Sequence, residues 1–85
     1  MQNFLEFVVS GLVQHPESVS VTSVEKGDLT LFELRMDPSD VGKIIGRNGM
    51  TINAIRSLTQ AAASNKGVRC AVEIIEDQPP QHAGN

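Results

Sequence analysis

The segment from Val41 to Ile55 constrains the fold most, because a turn bounded by two glycines separates two apolar stretches within it. The turn reads Gly46-Arg47-Asn48-Gly49, and isoleucines at helical spacing lie on both sides of it, which predicts a helix, a loop and a second helix. Glycine has no Cβ, so it tolerates positive φ and lets another molecule approach the backbone closely. Exposed backbone amides at the start of the helix that follows the turn, together with the cation Arg47, favour the binding of an anion. The segment therefore predicts a site for a phosphate backbone.

Basic residues gather in the same part of the chain. The window from Val41 to Val72 holds five basic residues and no acidic one, so it carries +5, and the rest of the chain carries −8 because the net charge is −3. The local sign of the charge decides which ligand docks at a surface, so this window supports an anionic ligand. A solvated helix face beside a strand end is the alternative interpretation of the same pattern.

The residue content argues against an enzyme, and we expect neither a cofactor nor a bound metal. The sequence contains no Ser/His/Asp or Cys/His set, no metal-ligand spacing and no Walker loop. The single cysteine, Cys70, excludes an internal disulfide and a thiolate metal cluster, and its apolar, alternating neighbours indicate a small buried hydrophobe. The chain has no Trp or Tyr, which argues against a stacking platform of the RRM type.

The N-terminal residues 1–9 are apolar but do not match a signal peptide. They lack a basic n-region, Glu6 interrupts the apolar part, and no small-residue cleavage site follows. No apolar run is long enough to span a membrane. We expect one small soluble domain, located in the cytoplasm and not attached to a membrane.

Apolar periodicity predicts six elements in the order α-β-β-α-α-β. Two helices separate the second and third strands, so the strands form a mixed three-stranded sheet, with three helices packed on one face. The predicted fold class is α+β, with a domain over residues 1–76 and a disordered, proline-bearing tail over 77–85. The predicted helices span residues 3–14, 38–45 and 50–65, and the predicted strands span 18–25, 29–36 and 68–76, the first two strands forming a hairpin.

Capping signals mark the helix ends. Asp37 suits the N-cap of the second helix, with Pro38 at its first position and Asp40 at its third, where a carboxylate reaches back to the helix start. Gly67 suits the position just past the end of the third helix. These residues predict where the helices around the glycine-bounded turn begin and end.

The remaining local signals concern the first helix, the first strand and the buried stripes. Asn3 with Glu6 resembles a capping box, and Val24 breaks the alternation of the first strand, which predicts a bulge or the end of that strand. The predicted buried stripes are Phe4, Val8 and Leu12, widened by Leu5 and Val9, in the first helix, and Ile52, Ile55, Leu58 or Thr59, and Ala62 in the third.

The segment from Gly42 to Ile52 resembles the K-homology (KH) signature, in which an apolar pair precedes G-x-x-G and another apolar residue follows. The element order resembles the type II, prokaryotic KH arrangement. Residues 12–17 and 54–63 further resemble the small single-domain bacterial RNA-binding proteins of the KhpA type, and the likeness covers residues 1–76.

This resemblance implies a module that binds single-stranded RNA, acting as an RNA chaperone or post-transcriptional regulator. It implies a homodimer, and a larger KH protein of the Jag type as a further partner. Family members lose nucleic-acid binding when the two central loop residues are acids, and here neither is. The implied RNA-binding residues are Gly46 and Gly49, which shape the loop, Arg47 and Asn48, which face the backbone, Val41, Gly42 and Ile45, which form a wall for the bases, and Lys43 at its rim.

Alternative interpretations stay open. A protein-interaction adaptor whose KH fold mainly mediates dimerisation is suggested by the small residues Ala61-Ala62-Ala63 and by the weak binding expected of one module. A DNA-binding helix-hairpin-helix also presents amides to phosphate, but its glycines are usually two apart, whereas Gly46 and Gly49 are three apart. Gly42 serves either as an opening for a ligand or as a site of close helix packing.

Overall fold

The computed structural model describes residues 2–76, which form three helices and three strands in the order α-β-β-α-α-β. The predicted α+β class and element order are therefore confirmed. The predicted tail at 77–85 lies outside the described residues. The helices are α1 (Gln2–Ser10), α2 (Val41–Ile45) and α3 (Met50–Asn65), and the strands are β1 (Ser20–Lys26), β2 (Leu29–Arg35) and β3 (Arg69–Ile74).

The sheet is mixed, as predicted, with β2 in the centre. β1 pairs antiparallel to β2, and β3 pairs parallel to it. Pairing of β1 runs without interruption from Ser20 to Lys26, with Val24 opposite Leu31, so the predicted bulge or strand end at Val24 is wrong. Val24 breaks the alternation for another reason, because it lies on the sheet face turned away from the helices, where it covers Leu31.

The core lies between the opposite sheet face and the helices. All three helices contribute buried apolar side chains to it, which agrees with the prediction of helices on one face. Full burial of such a side chain stabilises the fold by about 1.5–3 kcal/mol, so this single layer of contacts holds the short α2 in place. No helix within residues 2–76 is both long and apolar enough to cross a membrane. The core contains Leu5 and Val9 of α1, Ile44 of α2, Ile52, Ile55 and Ala63 of α3, and Val21, Phe32, Leu34, Cys70 and Val72 of the sheet.

The first helix is shorter than predicted and turns a different side to the core. It ends at Ser10, and Leu12 N–H donates to the Val9 carbonyl at 2.9 Å in a tightened last turn. Phe4 is 40% exposed and Leu12 is 46% exposed, so the stripe predicted through them is wrong and the burial falls on Leu5 and Val9. Asn3 lies within the helix rather than at its cap, so the capping box is wrong too.

Asp37 is the N-cap of the 3₁₀ turn that leads into α2, which agrees with the predicted cap, whereas Asp40 has a different role. One carboxylate oxygen of Asp37 accepts from the backbone N–H of Ser39 at 2.9 Å and from its hydroxyl at 2.7 Å. The backbone bond, followed by the hydroxyl bond, lowers the pKa of Asp37 below its ordinary value of 3.8. The cap therefore contributes its full stabilisation at pH values above 3.8. This contribution is lost as the pH falls through the lowered pKa of Asp37. Residues Pro38–Asp40 form a 3₁₀ turn, and regular α-helix begins at Val41.

Asp40 is fully buried and does not reach back to the helix start. Its two carboxylate oxygens accept from the backbone N–H groups of Gln14 and His15 at 3.1 and 3.0 Å. The Lys43 Nζ lies 3.8 Å from one of these oxygens. The prediction for Asp40 is wrong because the carboxylate satisfies amides that the early end of α1 leaves unpaired.

The end of α3 follows the glycine signal. Gly67 has φ +72°, its N–H donates to Ser64 at 3.0 Å, and Val68 N–H donates to Ala63 at 2.9 Å, which is a Schellman ending. Of the two alternatives for the buried stripe, Thr59 is buried and its hydroxyl donates to the Ile55 carbonyl at 2.8 Å. Leu58 is exposed, and Ala63 rather than Ala62 completes the stripe.

Candidate nucleic-acid interface

The loop Gly46–Gly49 joins α2 to α3 through an uncommon backbone path. Gly46 has φ 75° and ψ 177°, a region that is essentially restricted to glycine. Asn48 has φ 55° and Gly49 has φ 76°, and asparagine is among the few side chains that tolerate such a conformation. The two glycines of the predicted motif, and the asparagine between them, therefore fit the backbone that the loop adopts.

Gly46 is also required by the space around it. A Cβ at this position would collide with the Thr51 side chain and come within 2.9 Å of the Thr51 backbone nitrogen. A Cβ on Gly49 would meet only the Asn53 Nδ2, at 3.7 Å. The first turn of α3 thus packs directly against the bare backbone of Gly46, and Thr51 is a loop-supporting residue that the sequence analysis missed.

We expect Gly46→Ala to lower the free energy of unfolding by about 3 kcal/mol, because it combines a glycine-only conformation with a backbone clash. Gly49→Ala is the matched control, and we expect it to lower the free energy of unfolding by about 1 kcal/mol, since it meets conformational strain alone. Urea unfolding followed by circular dichroism measures both. Equal losses for the two variants would contradict the proposed packing at Gly46.

Two backbone amides of the loop are unpaired. Gly49 N–H donates to the Gly46 carbonyl at 3.2 Å and Met50 N–H donates to the Arg47 carbonyl. The Arg47 and Asn48 amides have no acceptor within the described residues, and both side chains are exposed. These donors, next to the positive end of α3, can bind an anion such as a phosphate.

The residues predicted for the wall of the site lie on α2, directly before the loop. Gly42 is exposed, and apart from its chain neighbours and the backbone of its own helix a Cβ there would meet no described atom within 4 Å, so close packing against another element does not explain this glycine. Val41 is half-buried and Ile45 is 38% exposed. Gly46 N–H donates to the Gly42 carbonyl at 2.9 Å, so the loop continues directly from this aliphatic surface.

The five cations of the basic window are not equivalent. The ammonium of Lys43 pairs with the buried carboxylate of Asp40, and Arg69 pairs with the exposed Asp28 at 3.4 Å. Arg47, Arg56 and Lys66 have no acidic partner among residues 2–76. Positive charge without an internal counter-charge is therefore present in the loop, at Arg47, and along α3, at Arg56.

Arg56 and Asn53 are site neighbours that the sequence analysis did not single out. Arg56 Nε donates to the Val72 carbonyl of β3 at 3.0 Å, and its Nη1 lies 3.4 Å from the Asn53 amide oxygen. Gly49, Asn53 and Arg56 follow a helical spacing of four and three residues. That spacing, counted from the second glycine, was the signal that could have found them.

Metal and thiol chemistry have no support within the described part of the chain. No three His, Cys, Asp or Glu side chains gather there in a way that could hold a metal ion. Burial raises the pKa of the Cys70 thiol, which disfavours the thiolate, the reactive form of cysteine. Cys70 borders a shallow groove of about 310 Å³ at the far end of α3, lined also by Leu29, Gln60, Ser64, Val68 and Arg69.

Comparisons with known proteins agree with the geometry. The family model described as "KhpA/KhpB, KH domain" matches residues 2–74. The chain is 40% identical over 78 residues to the RNA-binding protein KhpA of Chlamydia caviae, covering 92% of this chain and 100% of that protein. It is 37% identical over 76 residues to KhpA of Halalkalibacterium halodurans, covering 89% and 100%. It is 42% identical over 72 residues to KhpA of Borreliella burgdorferi, covering 85% and 88%.

Proposed function

The chain belongs to the KhpA/KhpB KH-domain family, and we propose that it binds single-stranded RNA by holding the sugar-phosphate backbone at the Gly46–Gly49 loop. Its curated relatives are named RNA-binding proteins. The observation that carries the proposal is the pair of unpaired amides at Arg47 and Asn48, which lie beside an uncompensated guanidinium in an exposed loop. A KH loop of this kind clamps about four nucleotides.

The loop and α2 have different tasks in this proposal. The two amides and the Arg47 guanidinium bind phosphate oxygens, which every nucleotide carries. Val41 and Ile45 give the bases an aliphatic surface for van der Waals contact, and the bare Gly42 lets the strand lie close to α2. Lys43 lies at the rim of this aliphatic surface, and its ammonium also pairs with the Asp40 carboxylate. Such a site reads sequence weakly and binds weakly as a single copy.

Fluorescence anisotropy with labelled single-stranded RNA tests the function. Two to three neutralised phosphates predict a slope of log K against log salt concentration of about −1.4 to −2. Unlabelled single-stranded RNA should compete better than duplex DNA. Absence of binding at low salt, or a preference for duplex DNA, would refute the proposal, and the second result would favour the helix-hairpin-helix alternative.

Gly42→Ala is expected to change stability and binding in opposite directions. Alanine is the better helix former, so the free energy of unfolding should rise by about 0.5–1 kcal/mol. The new methyl group would enter space that we assign to RNA, so the RNA affinity should fall severalfold. Thermal unfolding and anisotropy measure the two effects. A variant that is more stable and binds equally well would show that the strand does not approach α2 at this position.

The cellular role follows from the ligand. We propose that the protein acts in the cytoplasm as an RNA chaperone or post-transcriptional regulator, not as an enzyme. We also propose a larger KH protein of the Jag type as a partner. Sequencing of RNA crosslinked to the protein in cells identifies the targets, and an absence of enriched RNA would argue against this role.

Self-association is the second candidate function, alone or together with RNA binding. Phe7 of α1 is 80% exposed and Leu58 of α3 is 58% exposed, and a dimer formed through either helix would remove such a side chain from water. Ala61 is exposed, while Ala63 belongs to the core, so only part of the predicted alanine patch is accessible. Light scattering after size exclusion, with and without RNA, tests this proposal. A stable dimer that never retains RNA would favour the adaptor, and a monomer under all conditions would exclude it.

A further inference from the structure

We infer that Asp40 is a positioning residue for the RNA site, which holds α2 in the orientation that binding requires. The inference rests on the proposed RNA binding at the Gly46–Gly49 loop and adds to it a residue that does not contact the RNA. Asp40 is fully buried, so it acts through the helix that follows it and not on the ligand directly.

The helix α2 is too short to keep its place without contacts to the rest of the protein. An isolated helix of fewer than about 12 residues is marginal in water, and α2 has five. Among these five residues Ile44 alone is buried, and it anchors the C-terminal part of the helix to the core. One anchor lets a helix pivot, so the orientation of the proposed wall, Val41, Gly42 and Ile45, depends on a second contact at the other end.

Asp40 provides that second contact, directly before the helix begins. Its two carboxylate oxygens accept from the backbone N–H groups of Gln14 and His15 at 3.1 and 3.0 Å, which ties the start of α2 to the segment between α1 and β1. Asp40 and Ile44 are four residues apart, so the two anchors are separated by about 6 Å along the helix axis. Together they fix the direction of α2 and of the loop that continues from it.

The chemistry of this contact also suggests more than a contribution to stability. Burial of a charged group costs free energy even when the group is paired. The Lys43 ammonium, 3.8 Å from the Asp40 carboxylate, belongs to a half-exposed side chain and compensates this charge only in part. A carboxylate, however, accepts from two amides at once, which a neutral asparagine side chain cannot do. The buried charge therefore serves a contact that fixes two backbone groups against the start of α2.

The alternative is that Asp40 stabilises the fold and has no separate influence on binding. The sign of the change in RNA affinity distinguishes the two roles. Asp40→Asn removes a negative charge 3.8 Å from the Lys43 ammonium, so electrostatics alone predicts tighter binding of a phosphate strand. Loss of orientation predicts weaker binding in spite of the more favourable charge.

The test compares Asp40→Asn with Val21→Ala, which lowers stability by removing buried methyl groups from the core at β1. Binding of a labelled single-stranded RNA is measured by anisotropy in trimethylamine N-oxide, which favours the folded state, and circular dichroism verifies folding. We expect Asp40→Asn to bind about tenfold more weakly than the wild type, because the contacts of a binding site have to be held to within about 0.5 Å. Val21→Ala should bind as the wild type does.

A second measurement uses the wild-type protein and does not depend on how well the variants fold. Coupling between two sites is reciprocal, so RNA bound at the loop has to strengthen the contact that orients α2. We expect the backbone amides of Gln14 and His15 to exchange with solvent more slowly at RNA saturation, although neither residue belongs to the RNA site.

Three results would overturn the inference while leaving RNA binding at the loop intact. The first is an Asp40→Asn affinity equal to or higher than that of the wild type. The second is an equal loss of affinity in Asp40→Asn and Val21→Ala, which would show that binding follows general destabilisation. The third is an exchange rate of the Gln14 and His15 amides that RNA leaves unchanged. A wild-type protein that binds no RNA would instead refute the proposed function itself.

Discussion

Replacement of Arg47 and Asn48 together by aspartate is expected to reduce RNA affinity by about 100-fold or more while leaving the fold intact. A like-charge pair about 4 Å apart near a protein surface costs about 4 kcal/mol, and the double variant also removes the uncompensated guanidinium. The fold should persist because both side chains are exposed, and aspartate tolerates the φ of 55° at position 48 about as well as asparagine does.

The matched control carries the same change of charge on another surface. Ser20→Asp with Lys26→Asp alters the net charge by −3, as the loop variant does, and both residues are exposed on β1. The new Asp at position 20 would lie opposite Arg35, so the strand pairing should tolerate it. Anisotropy measures binding, and circular dichroism verifies folding. If both double variants lose binding equally, the effect is one of net charge and the loop is not the site.

Asp40→Asn is expected to lower the free energy of unfolding by about 3 kcal/mol, the largest loss of stability that we predict for a substitution without change of shape. The carboxylate accepts from two backbone amides while it is fully buried. An asparagine presents one acceptor and one NH₂ group, so one amide would lose its partner and face another donor. Domains of this size are stabilised by about 5–15 kcal/mol, so the loss should shift the urea midpoint strongly.

Lys43→Met tests the contribution of the Lys43–Asp40 ion pair separately from that of the two backbone hydrogen bonds that Asp40 accepts. The ammonium of Lys43 is half-exposed and lies 3.8 Å from the carboxylate, so its removal should lower the free energy of unfolding by about 1 kcal/mol or less. A Lys43→Met loss as large as that of Asp40→Asn would mean that the ion pair, and not the amide bonds, is what Asp40 contributes.

The sequence predicted the elements and the loop because their signals are local. Alternation and helical spacing place the strands and helices, and the turn Gly46–Gly49 has a conformation that only its residue types tolerate well. Gly67 and Asp37 act within a few residues of their own positions, so their roles as caps could also be predicted.

The errors concern contacts between distant segments. Asp40 binds amides 25 and 26 residues earlier in the chain, and no local pattern distinguishes that role from a helix cap. The early end of α1 could not be predicted for the same reason, because the backbone N–H groups of Gln14 and His15 donate to the Asp40 carboxylate and not to carbonyls of a longer helix. Arg56 was counted only as one of the basic residues, because its hydrogen-bond partner Val72 lies later in the chain, on β3, which pairs in parallel with β2.

The parallel pairing of β2 with β3 has a consequence for the kinetics of assembly. The hairpin of β1 and β2 joins neighbours in the chain, whereas Leu29 meets Arg69 only when the 39 residues between them are folded back, and such long closures slow folding. The segment between these two strands contains α2, the loop and α3. Hydrogen exchange should therefore report the loop Gly46–Gly49, its two flanking helices and the third strand as one cooperative unit, which opens and closes separately from the hairpin.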